Sequence, residues 1–365
     1  MDEKQVAYIA GMGMVTPVGA NVGMTAAAVR AGISGYAVSD FYGQNDEPVT
    51  MSLVPDEFFA SVDMEIDEGD YYGAQHERVI KMAVTAIRES LPQVELIRPV
   101  PLVLAFPEPL PNAEHSFPES LKANLLAQKN LPFQKEYLHS IFTGRSGGIE
   151  AVDIAMRYLY EQSHDYVLLG GSDSYFQCPR LNELDQSARL LSLSNSDGFV
   201  PGEGAGFILL TRNKKLAIEM NQHVICVYEP GVGNESGHLY SDLPYKGEGL
   251  DIAVKKALLG FEGVPVNHIF SSMNGEKFCS KEYGVAMLRN KQAFHEKVSL
   301  EHPVDCFGDI GVALGPVMMA LSATIHNTNP ASTTSLVYCS SDGAARAAIL
   351  MQRIPVDTDQ LRSQS

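Results

Sequence analysis

The segment Gly144-Arg145-Ser146-Gly147-Gly148 has the spacing G-x-S-x-G. It lies between a short apolar run, Ile141-Phe142-Thr143, and an amphipathic stretch from Ile149 to Leu159. A serine on a tight strand-to-helix turn can become a nucleophile for acyl transfer or hydrolysis if a base and an acid reach it. Ser146 is the candidate nucleophile, and His326 is one of several later histidines that could be its base. A second glycine run, Gly11-x-Gly13-x-x-Thr16, approaches a dinucleotide-binding turn. It lacks the third glycine and a suitably placed acid, so it reads as a structural strand-to-helix turn, and no cofactor is expected. The five cysteines (Cys178, Cys226, Cys279, Cys306, Cys339) show no C-x-x-C or Cys/His ligand spacing. Neither a zinc site nor a disulfide framework is expected, and a reducing cytoplasm is the expected compartment. The longer run Asp197-Gly198-Phe199-Val200-Pro201-Gly202-Glu203-Gly204-Ala205-Gly206 places four glycines and two carboxylates ahead of the apolar Phe207 to Leu210. The glycines suit tight turns and close backbone approach, and the carboxylates suit backbone N–H donors.

The whole chain constrains these readings. Its 365 residues carry 27 Lys and Arg against 44 Asp and Glu, a net charge of −17. That balance opposes a phosphate-tracking nucleic-acid binder and docking on an anionic lipid leaflet. The opening Met1-Asp2-Glu3-Lys4 is acidic and lacks the basic-then-apolar order of a signal peptide, so none is expected. No apolar run approaches the about 18 residues of a membrane span.

The elements that must position the candidate residues follow from periodicity. Val6 to Ile9 reads as a strand and Met24 to Arg30 as a helix; residues 36–75 read as irregular. Residues 77–91 have the spacing of an amphipathic helix, Val100 to Phe106 that of a buried strand, and residues 110–138 are polar and mixed. Ile141–Thr143 (strand), Ile149–Leu159 (helix) and Tyr166–Gly171 (strand) then alternate, which predicts an α/β fold with a largely parallel sheet. The second half repeats the plan: His223–Tyr228, Leu250–Leu259, His268–Ser272, a glycine-rich turn from Cys306 to Gly315, a small-residue helix from Pro316 to Ile325, and two closing strands. Each half has one glycine-rich loop entering a helix, a weak internal duplication. The expected division is an N-terminal half at 1–215, a C-terminal half at 216–355 and a frayed tail at 356–365.

The Asp197 to Gly206 run resembles the D-G-F-V-x-G-E-G-A-G motif of β-ketoacyl-acyl-carrier-protein synthases, members of the thiolase superfamily. Ala10 to Gly19 is similar to that family's opening strand and turn, Ala31 to Gly35 to its L-x-x-G-x-S-G element, and Asp165 to Asp173 to its D-x-x-x-x-G-G-x-D strand. The resemblance is strong in the first half and weak after about residue 215. It implies a thiolase-like five-layer αβαβα fold of two pseudo-duplicated halves, and a homodimer or a heterodimer with a synthase-like subunit.

The family's chemistry does not carry over. Its nucleophilic cysteine sits in a T-A-C-x-S-G turn at a helix N-terminus, where the dipole acidifies the thiol. The matching turn is Thr143-Gly144-Arg145-Ser146-Gly147-Gly148, so Arg145 stands at the cysteine position. The H-G-T-x-T loop is matched by Ser271 to Lys277 with Met273 and no histidine, and the H of G-H-x-x-G-A-x-G is matched by Asp309. The closing G-F-G-G loop has become Asp342-Gly343-Ala344-Ala345, and the R-P-F-D segment is replaced by Leu190 to Leu193. Arg145 stays protonated and cannot be a nucleophile. Buried, it needs a carboxylate or a bound anion. An Arg145–Asp309 ion pair filling the former active site is expected, with Glu276 and Glu282 as further candidate partners and Asn274 and Phe199 beside it. Cys306, three residues before Asp309, reads as a buried structural thiol near that pocket.

The resulting expectation is a catalytically inactive β-ketoacyl-synthase-like protein acting as scaffold, accessory or chain-length-factor-like heterodimer partner. The alternatives are an acyltransferase or hydrolase using Ser146, and a binder of a small acyl or anionic ligand at Arg145. The net negative charge argues against docking of an acidic carrier protein by this chain itself.

Overall fold

The computed structural model describes residues 5–43, 46–59, 74–91, 96, 98–108, 117–128, 130–329 and 331–356. The opening Met1 to Lys4 and the tail from Asp357 to Ser365 lie outside them. In chain order the elements are β1 (Val6–Val15), α1 (Val22–Arg30), β2 (Ala37–Tyr42), β3 (Pro48–Met51), α2 (Ala74–Ser90), β4 (Leu102–Ala105), α3 (Phe117–Ala127), β5 (Leu138–Ile141), α4 (Gly147–Tyr160), β6 (Val167–Ser174), α5 (Cys178–Gln186) and β7 (Glu203–Thr211). There follow β8 (His223–Tyr228), β9 (Gly231–Asn234), α6 (Glu248–Leu258), β10 (Val266–Ser271), α7 (Lys277–Arg289), β11 (Phe294–Glu301), α8 (Val304–Phe307), α9 (Leu314–Thr328), β12 (Thr334–Ser340) and β13 (Ala345–Pro355).

The strands of the two halves have the same order and the same senses. The first half runs β5-β4-β6-β7-β1 and the second β11-β10-β12-β13-β8, with β9 added beside β13. In each, the three outer strands pair in parallel and the next two pairings are antiparallel. The halves join where Val6–Tyr8 of β1 pairs antiparallel with Cys226–Tyr228 of β8. The sheet is therefore mixed, not largely parallel. Parallel pairing is confined to the outer strands; β6 and β7 pair antiparallel although α5 lies between them in sequence, and β12–β13 are consecutive antiparallel neighbours.

Burial divides the molecule into layers. Helices α2 and α3 cover the outer face of the first half through Ile80, Ala83, Ile87, Leu121 and Leu125. Helices α6 and α7 cover the second half through Leu250, Ala253, Val254 and Ala286. Between the halves lie α4 and α9, whose Ile149, Val152, Leu314, Val317, Met318 and Leu321 form the central core. A helix apolar on every side, as α9 is over Leu314–Ala323, has to be enclosed on every side. The result is the five-layer αβαβα arrangement.

Two local expectations change. Residues 36–75 contain a hairpin, β2 with β3, which packs with Leu181 and Leu184 of α5 and with Phe199 as a satellite core. The Gly11-x-Gly13 run is not a turn but part of β1, which continues to Val15. Its glycines serve helix packing: a Cβ on Gly13 would lie 1.9 Å from the Ala86 carbonyl oxygen of α2. Among the described residues, no helix is long and apolar enough to cross a membrane.

Gly13→Ala tests that contact. In an unobstructed strand alanine would stabilise by about 0.5–1 kcal/mol. Here overpacking against a backbone carbonyl should destabilise by about 3 kcal/mol, read as a lower urea midpoint at unchanged slope.

Candidate functional site

β5 ends at Ile141, so Phe142 and Thr143 form the approach to a one-turn 3-10 helix at Gly144–Ser146 that leads into α4. Gly144 has φ +64°, a left-handed conformation that glycine adopts without a Cβ penalty. This turn sends the Arg145 side chain into the interior, where it is 5% exposed. Arg145 Nε donates to Asp309 Oδ2 at 2.7 Å, Nη1 to Asp342 Oδ1 at 2.5 Å, and Nη2 to the Tyr175 hydroxyl at 3.1 Å. Asp309 sits between α8 and α9, where its Oδ1 accepts the Gly311 N–H at 3.0 Å. The run resembling the synthase motif holds it there: Asp309 N–H donates to Val200 O and Gly202 N–H donates to Asp309 O, both at 2.8 Å. Glu203 of the same run is buried and accepts from Val54 N–H and Ser174 Oγ, each at 3.0 Å, and from Arg78.

The expected Arg145–Asp309 pair is present, but as part of a larger network. Arg189 donates Nε to Glu276 Oε1 and Nη2 to Glu276 Oε2, both at 2.8 Å. It also donates Nη1 to Asp342 Oδ2 at 2.8 Å and Nη2 to Asp342 Oδ1 at 3.1 Å. Asp342 thereby bridges the two arginines. Asn274 Nδ2 bridges Glu276 Oε2 at 3.0 Å and Asp309 Oδ2 at 3.1 Å. The Phe199 ring lies 6.0 Å from the Arg145 guanidinium carbon and 5.2 Å from that of Arg189. Beside them Arg180 donates to Asp173 Oδ1 at 2.8 Å and stacks over Tyr175 at 3.6 Å.

Arg145, Asp309, Glu276, Asn274 and Phe199 thus come together as the sequence suggests. Glu282 does not join them; its Oε1 accepts from Arg346 Nε at 2.5 Å in a separate buried pair. Met273 is half-buried and its N–H donates to Ser271 Oγ at 3.0 Å, outside the network. Cys306 packs into the central core. Sequence pattern does not single out Arg189, Arg180 or Tyr175. Asp342 is visible in the sequence only as part of an altered gate loop. The one signal for Arg189 is a cation immediately before the apolar Leu190-Leu191.

The chemistry available is limited. The single Ser146 hydroxyl proton has two acceptors in reach, Glu150 Oε1 at 2.5 Å and Thr143 O at 3.1 Å, and Ser341 Oγ lies 3.1 Å away. His326 is bound to Ser335 and Ser332, with its pKa pushed down to about 4 by burial, and does not serve Ser146. Burial alone would lower the Arg145 pKa, but Asp309 and Asp342 outweigh it and raise it well above the usual value. Burial likewise opposes ionisation of Asp342, yet Arg145 and Arg189 hold its carboxyl well below the usual carboxylate range. Cys279 donates to Asn274 Oδ1 at 3.6 Å, and burial pushes its thiol up to about 12, so it is protonated at neutral pH. Among the described residues, no group of three or more His, Cys, Asp or Glu could hold a metal ion.

The network does not fill the site. A cavity of about 650 Å3 remains over Arg145, Arg180 and Arg189, walled by Phe106, Phe142 and Glu108. Ser146 is not among its lining residues.

Two measurements test the network. Arg145→Met leaves Asp309 and Asp342 buried without their common cation and should destabilise by about 3–5 kcal/mol; adding Asp309→Leu should cost less than the sum of the single changes. Asp342 has a folded pKa below its unfolded value, so its contribution is full above about pH 4 and is lost as pH falls further. In urea unfolding below about pH 4, the unsubstituted protein should lose stability more steeply than Asp342→Asn.

Comparison with known proteins agrees with this architecture. Residues 138–215 match the family model of the β-ketoacyl synthase N-terminal domain. No curated protein matches the chain. Among solved structures, the ishigamide ketosynthase/chain length factor is similar at 15% identity over 96% of this chain and 99% of that chain, with a TM-score of 0.70. The ketosynthase of Xenorhabdus doucetiae in complex with its chain length factor is similar at 16% identity over 96% and 98%, with a TM-score of 0.71. The ketosynthase from module 6 of the bacillaene synthase of Bacillus subtilis 168 is similar at 14% identity over 95% and 72%, with a TM-score of 0.72. Residues 138–215 thus match the β-ketoacyl synthase N-terminal domain, and the chain as a whole has the fold of the ketosynthases and chain length factors.

Proposed function

We propose that this chain is a non-condensing ketosynthase-fold protein that works as the structural partner of a synthase-like subunit, in the manner of a chain length factor. The observation that carries the reading is the side chain at the entrance to α4. Where the resemblance puts a reactive cysteine, Arg145 is held by Asp309 and Asp342. A guanidinium is a permanent cation without a lone pair to donate to a carbonyl carbon. The positions that correspond to the two histidines hold Met273 and Asp309, neither able to shuttle a proton as imidazole does at neutral pH.

Ser146 gains no support as a replacement, because its partners are Thr143, Glu150 and Ser341 and it lies away from the cavity. A partner role draws support from the edge of the sheet. The strand order ends at β5, whose outer edge is unpaired among the described residues. An open strand edge is a surface that another chain can complete. Two of the similar solved structures are of ketosynthases with chain length factors.

The test combines chemistry and assembly. The purified chain, incubated with an acyl thioester, should show no mass adduct. Isolated from its host it should run as a one-to-one complex with a ketosynthase-fold chain that does carry a cysteine nucleophile. An acyl adduct on Ser146, or condensation by this chain alone, would overturn the reading.

A further inference from the structure

The cavity over the arginine network has walls of two chemical kinds. One is apolar. Phe106 and Phe142 stack with centroids 5.2 Å apart and planes at 19°, and Pro107, Pro118 and Val312 extend that wall. Phe142 leaves 42% of its surface uncovered, apolar area that a ligand would remove from water. A volume of about 650 Å3 lies within the usual range for small-molecule pockets.

The other wall is acidic. Arg145, Arg180 and Arg189 on the floor are engaged by Asp173, Asp309, Asp342 and Glu276. Three cations facing four carboxylates leave no uncompensated positive charge for an incoming anion. Glu108 and Glu183 add carboxyls to the lining, which contains no lysine. Both oxygens of Glu108 share a single donor, the Gly343 N–H, at 3.1 and 3.2 Å. A carboxylate can accept about four hydrogen bonds, so Glu108 has capacity to spare. Burial raises its pKa above the usual carboxylate value; the Gly343 N–H and the Arg145 and Arg346 charges oppose that rise, and the Asp342 charge adds to it. A half-buried carboxylate whose main perturbation is lost solvation, and which has accepting capacity to spare, gains from a cationic hydrogen-bond donor at its open side.

We propose that this cavity binds an amphiphilic cation, with a protonated primary amine on Glu108 and an apolar body along Phe106, Phe142, Pro107 and Pro118. Carboxylates and phosphates are disfavoured, because every guanidinium they would seek is already engaged by carboxylates. The inference is independent of the partner role, which rests on Arg145.

Calorimetric titration near pH 7 with three probes of equal chain length tests it: octylamine, 1-octanol and octanoate. Octylamine should bind at least about tenfold more tightly than octanoate, the ratio expected of one charge-assisted hydrogen bond. Glu108→Gln should weaken octylamine about tenfold and leave 1-octanol within about twofold. Phe142→Ala should weaken octylamine and 1-octanol alike. No measurable octylamine binding, octanoate binding as tight as octylamine, or an octylamine affinity unchanged in a folded Glu108→Gln each overturns the proposal. Should Glu108→Gln fail to fold, the amine-to-carboxylate ratio and Phe142→Ala still decide it.

Discussion

A guanidinium taken out of water must be met by carboxylates, and this requirement organises the centre of the molecule. Arg145 and Arg189 are both buried, and their partners come from separate parts of the chain: Asp309, Asp342 and Glu276. Asp342 serves both arginines, so movement of the loop after β12 would take one of two carboxylate partners from each and leave Arg145 with Asp309 and Arg189 with Glu276. Asn274 ties Glu276 to Asp309, and the backbone of Val200 and Gly202 pins Asp309. The loops entering α4 and α9, which come from opposite halves of the duplicated fold, are thereby locked together at one point. Such a network adds less net stability than its hydrogen bonds suggest, because desolvation of each ion costs several kcal/mol. Its loss is nevertheless severe, since each member leaves an uncompensated charge behind. The arrangement thus specifies a geometry more than it deepens a free-energy minimum.

That geometry also accounts for how the fold accommodates a buried ion pair at its centre. The turn into α4 and the turn before α9 are brought face to face by two central helices, α9 enclosed over Leu314–Ala323 and α4 through its buried face. Once a cation and an anion occupy those turns, the same convergence that could align a nucleophile and a base aligns an ion pair. The cavity beside it survives because it is enclosed by elements the fold needs anyway, the end of β4, the loop after β5 and the start of β13. Its character has changed: the charged groups on its floor are mutually neutralised, and the free capacity lies with Glu108.

Much of this was legible in particular residues. The Asp197 to Gly206 run pointed to the fold, and in the structure its backbone braces Asp309 and its Glu203 joins Val54, Ser174 and Arg78. Helix α2 was legible from Val79, Ile80, Ala83 and Ile87 on one face. The Arg145–Asp309 pair followed from charge logic once both were placed at facing turns. The glycines of β1 misled, because a glycine needed for a turn and a glycine needed to admit a helix carbonyl look alike in sequence. The parallel sheet was overstated for a related reason: local periodicity identifies a strand but not the direction of its neighbour.

The sequence by itself carried the motifs that resemble the synthases, the two-fold repeat of its plan, and Arg145, Met273 and Asp309 at the positions that this resemblance matches to the synthase triad. These are properties of local composition and of motif order, which survive without knowledge of contacts. Only the tertiary structure decided that Arg189 and Asp342 complete the network, that Glu282 belongs to Arg346 instead, and that an open cavity remains above the ion pairs. Those are long-range facts. A buried charge takes whichever partner the packed backbone brings within hydrogen-bond reach, and residues separated by 153 or 197 positions in the chain, as Asp342 is from Arg189 and Arg145, give no local sign that they will meet.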